Sequence, residues 1–451
     1  MNPRVFREYD IRGVADRDLD DATVRAIGIV VGAKAGGTVV VGRDCRTHSP
    51  RLFAALTDGL RVHVDVVDVG VVPTPLVYFA EQHLKPAAAV MITGSHNPAE
   101  DNGFKIMLHG ETLHGAAIAA LRDEVVKALE TDAPHPTKPI RSRDIIGAYQ
   151  AHATKVLQIG ERKLKVVVDA GNGAGGPTAV GLYRRLGFDV VPLYCDLDGT
   201  FPHHHPDPTQ PENVADLIAT VKREGAELGI ALDGDADRIG AVDANGRILW
   251  GDQLMILFGK ALLEEVPHAK FVGEVKCSQA MYDELRKAGG EPEMWKVGHS
   301  LIKARMKETG AQLAGEMSGH MFFAHRWLGF DDGIYAGARL LELLSRGTRT
   351  LAQLADALPV MINTPELRIE CHDETKFAVV AEVTRLLRAD PRVTDVVDID
   401  GVRAKFEGGW GLLRASNTQA ALVMRCEAQT APRLAEIKAI IDAHLETAKR
   451  A

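Results

Sequence analysis

The sequence is poor in cysteine. Its five cysteines, Cys45, Cys195, Cys277, Cys371 and Cys426, are odd in number and widely scattered. No C-x-x-C pair occurs, and free buried thiols in a reducing cytoplasm are the simplest account. Nor is there a Lys/Arg-rich block, and the formal net charge is -8. That argues against general nucleic-acid binding, and it means that an anionic substrate needs a locally basic cleft. No apolar run is long enough to span a membrane, and Met1-Asn-Pro-Arg-Val-Phe6 lacks an apolar signal core. A cytoplasmic protein with neither nucleic-acid nor membrane partners is expected.

What the chain does have is a repeated succession of buried strands and polar loops. Its 451 residues, 46% apolar and 25% charged, are ordinary globular usage in a chain too long for one core. The apolar run 87–92 reads as a buried strand that breaks at Gly94. Thr93-Gly-Ser-His-Asn-Pro98 therefore lies on a tight loop at a strand end, where open α/β sheets place ligands. Ser95 offers a hydroxyl that can carry a transferable group, with His96 beside it and Lys105 further on. An isolated Ser-His pair reads better as a Ser/Asn-rich turn, and three later stretches reverse that balance.

Before this loop, 20–33 and 50–60 read as helices, 38–44 as a strand ending in a polar turn, and 62–72 as mostly strand. After it comes a helix over 116–129, and Pro134, Pro136 and Pro139 look like a linker. The plan recurs twice. A strand near 165 runs into a Gly-rich turn and a helix over 177–186, and 228–232 ends in a second polar loop. The third unit has a strand over 270–276, a helix over 279–288 and a closing loop near 312–320. From about Asn363 the pattern changes to alternating strands with helices over 375–387 and 431–448, which suits an antiparallel sheet with helices on one face. The expected fold is α/β. Three related mixed α/β domains, 1–140, 141–247 and 248–361, face a central cleft, with a smaller α+β C-terminal domain over 362–451.

Asp233-Gly-Asp-Ala-Asp-Arg238 is the most specific local signal. Three carboxylates at alternate positions repel one another unless a cation sits among them, and oxygen ligands suit a hard ion such as Mg²⁺. An EF-hand is excluded, because its sixth position would be Arg238 and its twelfth Ala244. A solvated acidic turn is the alternative. Arg238 favours a site, since it can hold a phosphate beside the metal. Gly315-Glu-Met-Ser-Gly-His320 suits either sugar hydroxyls or an ordinary turn. In Gly411-Leu-Leu-Arg-Ala-Ser-Asn-Thr418, Arg414 can grip phosphate bidentately beside two hydroxyls. Lys276 and His299 follow predicted strands. His203-His-His205 looks like a metal tract, but in its Pro-rich setting a structural role is expected. A phosphatase with an aspartyl nucleophile at Asp233 would leave the Ser95 loop without a role.

Taken in order, these four loops resemble the signature loops of the α-D-phosphohexomutases, across the whole chain. Glu316-Met-Ser-Gly-His320 and the opening Phe6-Arg-Glu-Tyr-Asp-Ile-Arg-Gly13 are most similar to the bacterial phosphomannomutase/phosphoglucomutase group. Phosphoglucosamine mutases usually carry Gln where Met317 stands. The resemblance implies an isomerase that interconverts hexose 1-phosphate and hexose 6-phosphate, for mannose and glucose, through a phosphoserine and a hexose 1,6-bisphosphate. It implies that Ser95 is the phosphoserine, and that Asp233, Asp235 and Asp237 bind one Mg²⁺ with a phosphate oxygen on Ser95 as a further ligand. Lys105 and His299 would be acid/base or electrostatic helpers, with Arg12 and Arg238 as further basic groups of the reacting centre. Glu316 and Ser318 would hold the 3- and 4-hydroxyls. Arg414, Ser416, Asn417 and Thr418 would hold the non-reacting phosphate, and Tyr9, Lys276 and His320 would line the cleft. Glucose 1,6-bisphosphate is the implied activator and intermediate, sugar phosphates are the implied partners, and a monomer or weak dimer is expected.

Overall fold

The computed structural model describes residues 1–131, 134–416 and 420–450. One device recurs in the first three sheets. A parallel strand inside the sheet ends in a polar loop, and the following strand returns antiparallel beside it. In the first sheet Val39–Arg43, Val66–Val71 and Ala88–Ile92 run parallel, and Asp101–Leu108 returns along Ala88–Ile92. Every residue of Ala88–Ile92 is buried, as a strand covered on both faces requires. In the second, Lys165–Asp169, Asp189–Leu193 and Leu228–Leu232 are parallel and Ile239–Asp243 returns. In the third, Lys270–Glu274, Glu291–Trp295 and Leu313–Gly315 are parallel and Met321–Phe323 returns. The loops after Ile92, Leu232 and Gly315 thus leave the carboxyl ends of their strands, the edge at which α/β sheets bind ligands.

The fourth sheet is antiparallel throughout. It contains Leu367–Glu370, Asp395–Val397, Val402–Phe406, Gly409–Ala415 and Ala421–Ala428. Helices Lys376–Ala389 and Ala431–Arg450 pack their apolar residues on it, forming a core of its own around Val383, Leu413, Met424 and Ile441. The first three domains share one continuous core that runs from Val40 to Leu358. Val275, Trp410 and Leu412 form the small apolar contact between the two regions.

Two differences from the sequence reading stand out. Helix Thr74–Leu84 carries no polar face that would mark it, because Thr74 through Glu81 are all buried. The proline-rich segment is not a free linker. Ile140–Ser142 adds to the sheet edge beside Val66–Val71, and Arg61 O accepts from the Thr137 and Lys138 N–H groups. The prolines are spaced so that the residues between them keep the donors that edge pairing needs. The five cysteines form no disulfide. No helix among the described residues is long and apolar enough to cross a membrane.

Candidate active site

Ser95 stands at φ +51° and is buried. A serine holds that left-handed conformation only where its surroundings dictate it, and here Arg46 does so. The buried Arg46 guanidinium donates to the carbonyls of Ser95 (2.8 Å), Asn97 (2.6 Å), Pro98 (2.5 Å) and Asp101 (2.9 Å). Asp44 backs it at 3.2 Å and accepts the Gly94 N–H. A Cβ on Gly94 would lie 2.6 Å from the guanidinium carbon, so the loop needs glycine there. Ser95 Oγ lies 3.2 Å from Asp233 Oδ2 and 3.1 Å from His96 Nδ1. Burial, then the charges of Arg238 and Arg12, hold His96 well below the usual histidine range. Arg12 donates to Asn97 Oδ1 at 2.9 Å and pairs with Asp10 at 2.5 Å.

The acidic loop meets the serine loop backbone to backbone, since a Cβ on Gly234 would lie 2.4 Å from Ser95 O. Asp233, Asp235 and Asp237 are fully buried, and one oxygen of each lies within 4.8 Å of the others. Asp235 Oδ2 accepts from the Thr74 hydroxyl at 2.5 Å and from Lys105 Nζ at 2.8 Å, and Lys105 also donates to Asp237 Oδ2 at 2.5 Å. Among the described residues, Asp235 Oδ1 and Asp237 Oδ1 have no hydrogen-bond partner. Burial works to raise Asp235, but the charge and hydrogen bond of Lys105 hold it below the usual range. Burial and then mutual repulsion push Asp233 and Asp237 above it. The triad is short of positive charge. Two such carboxylate oxygens in a buried, all-oxygen cluster fit a hard metal ion.

The third loop joins this pair. Ile239 N–H donates to Gly319 O at 3.0 Å, and Gly319 is at φ +94°. Arg238 Nε donates to His320 Nε2 at 2.9 Å, while the Arg238 backbone N–H donates to Asp233 Oδ1 at 3.1 Å. Glu316 Oε1 accepts the Gly298 N–H at 2.8 Å, and Ser318 Oγ donates to Glu316 Oε2 at 3.1 Å. His299 opens helix His299–Thr309, with its ring 5.8 Å from that of His320 and 6.3 Å from that of Tyr9. Burial and the charge of Lys303 hold His299 well below the usual range. The Tyr9 hydroxyl donates to Val297 O at 2.9 Å.

The fourth group lies where the last two domains meet. Arg414 pairs with Asp400 Oδ2 at 3.1 Å, and the same oxygen accepts the Val297 N–H at 3.0 Å. Lys276 Nζ donates to Glu366 at 3.2 Å, and Ser416 O accepts from Lys376 at 2.6 Å. Asn417 and Thr418 lie outside the described residues.

Ser95, Lys105, the three aspartates, Arg238, His320, Glu316 and Ser318 thus form one connected network. Arg12 touches it through Asn97, and Tyr9 and His299 through ring contacts. Arg414 is tied to the neighbourhood of His299 by Asp400. Sequence reasoning missed Arg46, Thr74, Lys303 and Asp331. For Arg46 a signal existed, the polar turn after a buried strand; the others act through partners far away in the chain. The histidine tract is structural. His204 Nε2 lies 3.1 Å from Asp169 Oδ2, and the His203 ring stacks on Tyr194 at 3.8 Å.

A buried serine set against a carboxylate triad, at the meeting of three sheet-end loops lined with basic groups, defines a phosphoryl-transfer enzyme. Family models described as phosphoglucomutase/phosphomannomutase alpha/beta/alpha domains I, II and III match residues 3–132, 147–246 and 250–361, and that of the C-terminal domain matches 366–444. The phosphomannomutase/phosphoglucomutase of Pseudomonas aeruginosa is 46% identical over 441 residues, covering 97% of this chain and 94% of that protein. A phosphoglucomutase of Neisseria gonorrhoeae is 43% identical over 452 residues, covering 98% and 97%. The solved structure of a phosphoglucomutase/phosphomannomutase family protein from Burkholderia thailandensis matches with a TM-score of 0.92 and 42% identity, over 100% of this chain and 98% of that one. The chain belongs to the bacterial phosphoglucomutase/phosphomannomutase family of α-D-phosphohexomutases, and it is an isomerase of the intramolecular phosphotransferase kind.

Proposed function

We propose that this enzyme reversibly interconverts the 1- and 6-phosphates of both glucose and mannose, with Ser95 as the phosphorylated residue. The observation that carries the reading is the buried Ser95 hydroxyl, 3.2 Å from Asp233 Oδ2 where the loops meet. In the first half-reaction a sugar hydroxyl oxygen bonds to phosphorus as the bond from phosphorus to Ser95 Oγ breaks, and in the second Ser95 Oγ bonds to the other phosphorus as its bond to the sugar oxygen breaks. In the first, the hydroxyl proton passes to a base, His299 or His320, and Oγ regains one proton. Lys105, Arg12 and Arg238 offset the charge on the transferring oxygens. Asp233, Asp235 and Asp237 would hold Mg²⁺, which supplies further positive charge at those oxygens when bound. The bisphosphate, glucose 1,6-bisphosphate for glucose, turns end over end and returns its other phosphate to Ser95.

Glu316 and Ser318 bind the 3- and 4-hydroxyls, while Arg414, Ser416, Asn417 and Thr418 grip the idle phosphate. Tyr9 and Lys276 close the wall of the cleft. Glucose and mannose differ only at the 2-hydroxyl, which none of these residues reads, and a site rejects an analogue strongly only when its own polar groups are left unpaired. The enzyme works in the cytoplasm as a monomer or weak dimer.

Coupled assays with glucose 1-phosphate and mannose 1-phosphate should give kcat/KM values within about tenfold of each other. A preference of about a thousandfold would replace this reading with a single-sugar one. Ser95→Ala should lose most activity and, by intact mass, its phosphate. Phosphate on another residue with activity retained would overturn the role of Ser95.

A further inference from the structure

One buried carboxylate beside the site holds neither metal nor sugar in the proposal above. Asp331 is fully buried between Met321–Phe323 and helix Gly333–Arg346. Its Oδ1 accepts from Lys303 Nζ at 3.0 Å. Its Oδ2 has no aligned hydrogen-bond partner among the described residues and lies 3.2 Å from His320 Nδ1. It is 3.7 Å from His299 Nδ1. On the other side of the His320 ring, Nε2 receives the N–H of Arg238 Nε at 2.9 Å. Arginine has no acceptor, so Nε2 carries the lone pair and the ring hydrogen sits on Nδ1. Nδ1 lies 3.2 Å from Asp331 Oδ2 and 3.4 Å from Asp237 Oδ1, both carboxylate oxygens. Asp237 belongs to the candidate metal triad, which leaves Asp331 as the carboxylate available to hold Nδ1–H. Nε2 points toward the sugar loop, 3.9 Å from Glu316 Oε2.

We infer that Asp331 is a positioning residue that holds the Nδ1–H of His320 and so keeps Nε2 as the acceptor for the proton of the attacking sugar hydroxyl. Lys303 keeps Asp331 ionised and in place. The inference rests on the proposed phosphoserine site. In the step, the hydroxyl O–H bond breaks and its proton goes to Nε2. The sugar oxygen bonds to phosphorus as the bond to Ser95 Oγ breaks, and Oγ keeps that electron pair and then takes up a proton. Arg238 leaves Nε2 for the phosphoryl oxygens as the hydroxyl takes its place.

Asp331→Asn tests this with almost no change in volume. The amide oxygen still accepts from Lys303, and the amide N–H then faces Nδ1. That selects the tautomer with its hydrogen on Nε2, as when the aspartate of a serine-protease triad is made asparagine. We expect kcat to fall about a hundredfold or more, with KM for glucose 1-phosphate changed less than about threefold. NMR of nitrogen-labelled histidine, with His320 assigned through His320→Asn, should find the hydrogen on Nδ1 in the wild type and on Nε2 in Asp331→Asn. A wild-type hydrogen on Nε2 overturns the proposal, whether or not the variant folds. So does an unchanged kcat, or a loss in KM alone with the tautomer unmoved. If Ser95→Ala stays active, the phosphoserine reading fails on its own, and the His320 tautomer remains a separate measurement.

Discussion

Arg46 governs the position of Ser95 at the scale of single residues. Its guanidinium satisfies carbonyl oxygens of the serine loop that buried backbone cannot leave unpaired. Arg46→Met takes a charged donor from each of those oxygens and the counter-charge from the buried Asp44 carboxylate. It should lower stability by about 3–5 kcal/mol, read from the denaturant midpoint, and slow phosphorylation of Ser95. A stability change under about 1 kcal/mol would contradict this role. Asp18 gives a pH signature. It accepts from Arg17, Asn2 and the Val14 N–H, and the Arg17 hydrogen bond, partly opposed by burial, brings its carboxyl down to about 2. A depressed acid stabilises above its unfolded pKa and loses that contribution as pH falls through the folded one. The stability gap between wild type and Asp18→Asn should therefore be about 2 kcal/mol above about pH 4 and should close toward about pH 2. A gap that widens with acid would refute it.

At the scale of elements, the strand, loop and returning strand explain why the sequence signals could be read. Each apolar run ends where glycine and short polar residues begin, and local turn chemistry marks that break whatever the tertiary context. Contact between the loops is another matter. It rests on glycines that let one backbone touch another, as Gly234 does against Ser95 O and Gly319 against Ile239 O. A backbone carbonyl cannot swing aside as a long side chain can. Gly234→Ala should leave the fold intact but weaken metal affinity, by calorimetric titration, and lower turnover about tenfold or more. Wild-type affinity and turnover together would show that the approach does not matter.

At the scale of the whole molecule, the C-terminal domain has a separate core and meets the rest through a narrow contact. Arg403 holds that contact. It is buried, donates to Val275 O at 2.6 Å and Cys277 O at 2.8 Å, and stacks on Trp410 at 3.7 Å. Arg403→Met should reduce hydrogen-exchange protection across 270–277. It should also raise KM for glucose 1-phosphate and mannose 1-phosphate alike, because what it loosens is the placement of Arg414 and not a sugar contact. A rise confined to one sugar would argue against that coupling.

The sequence by itself determined the loops of the candidate site, the α/β plan and the change of pattern in the last domain. Each of these lies in a contiguous stretch whose apolar period or turn residues report on it directly. Ser95, the aspartate triad, Glu316, Ser318 and Arg414 were legible for that reason. Only the tertiary structure decided that Thr74 bonds Asp235, that Arg46 holds the serine loop, and that Asp331 faces His320 from behind. It also made an edge strand of Ile140–Ser142 and buried the helix from Thr74 to Glu81 on every side. Those partners meet because packed sheets bring distant strand ends together, and close packing of that kind leaves no periodic trace along the chain.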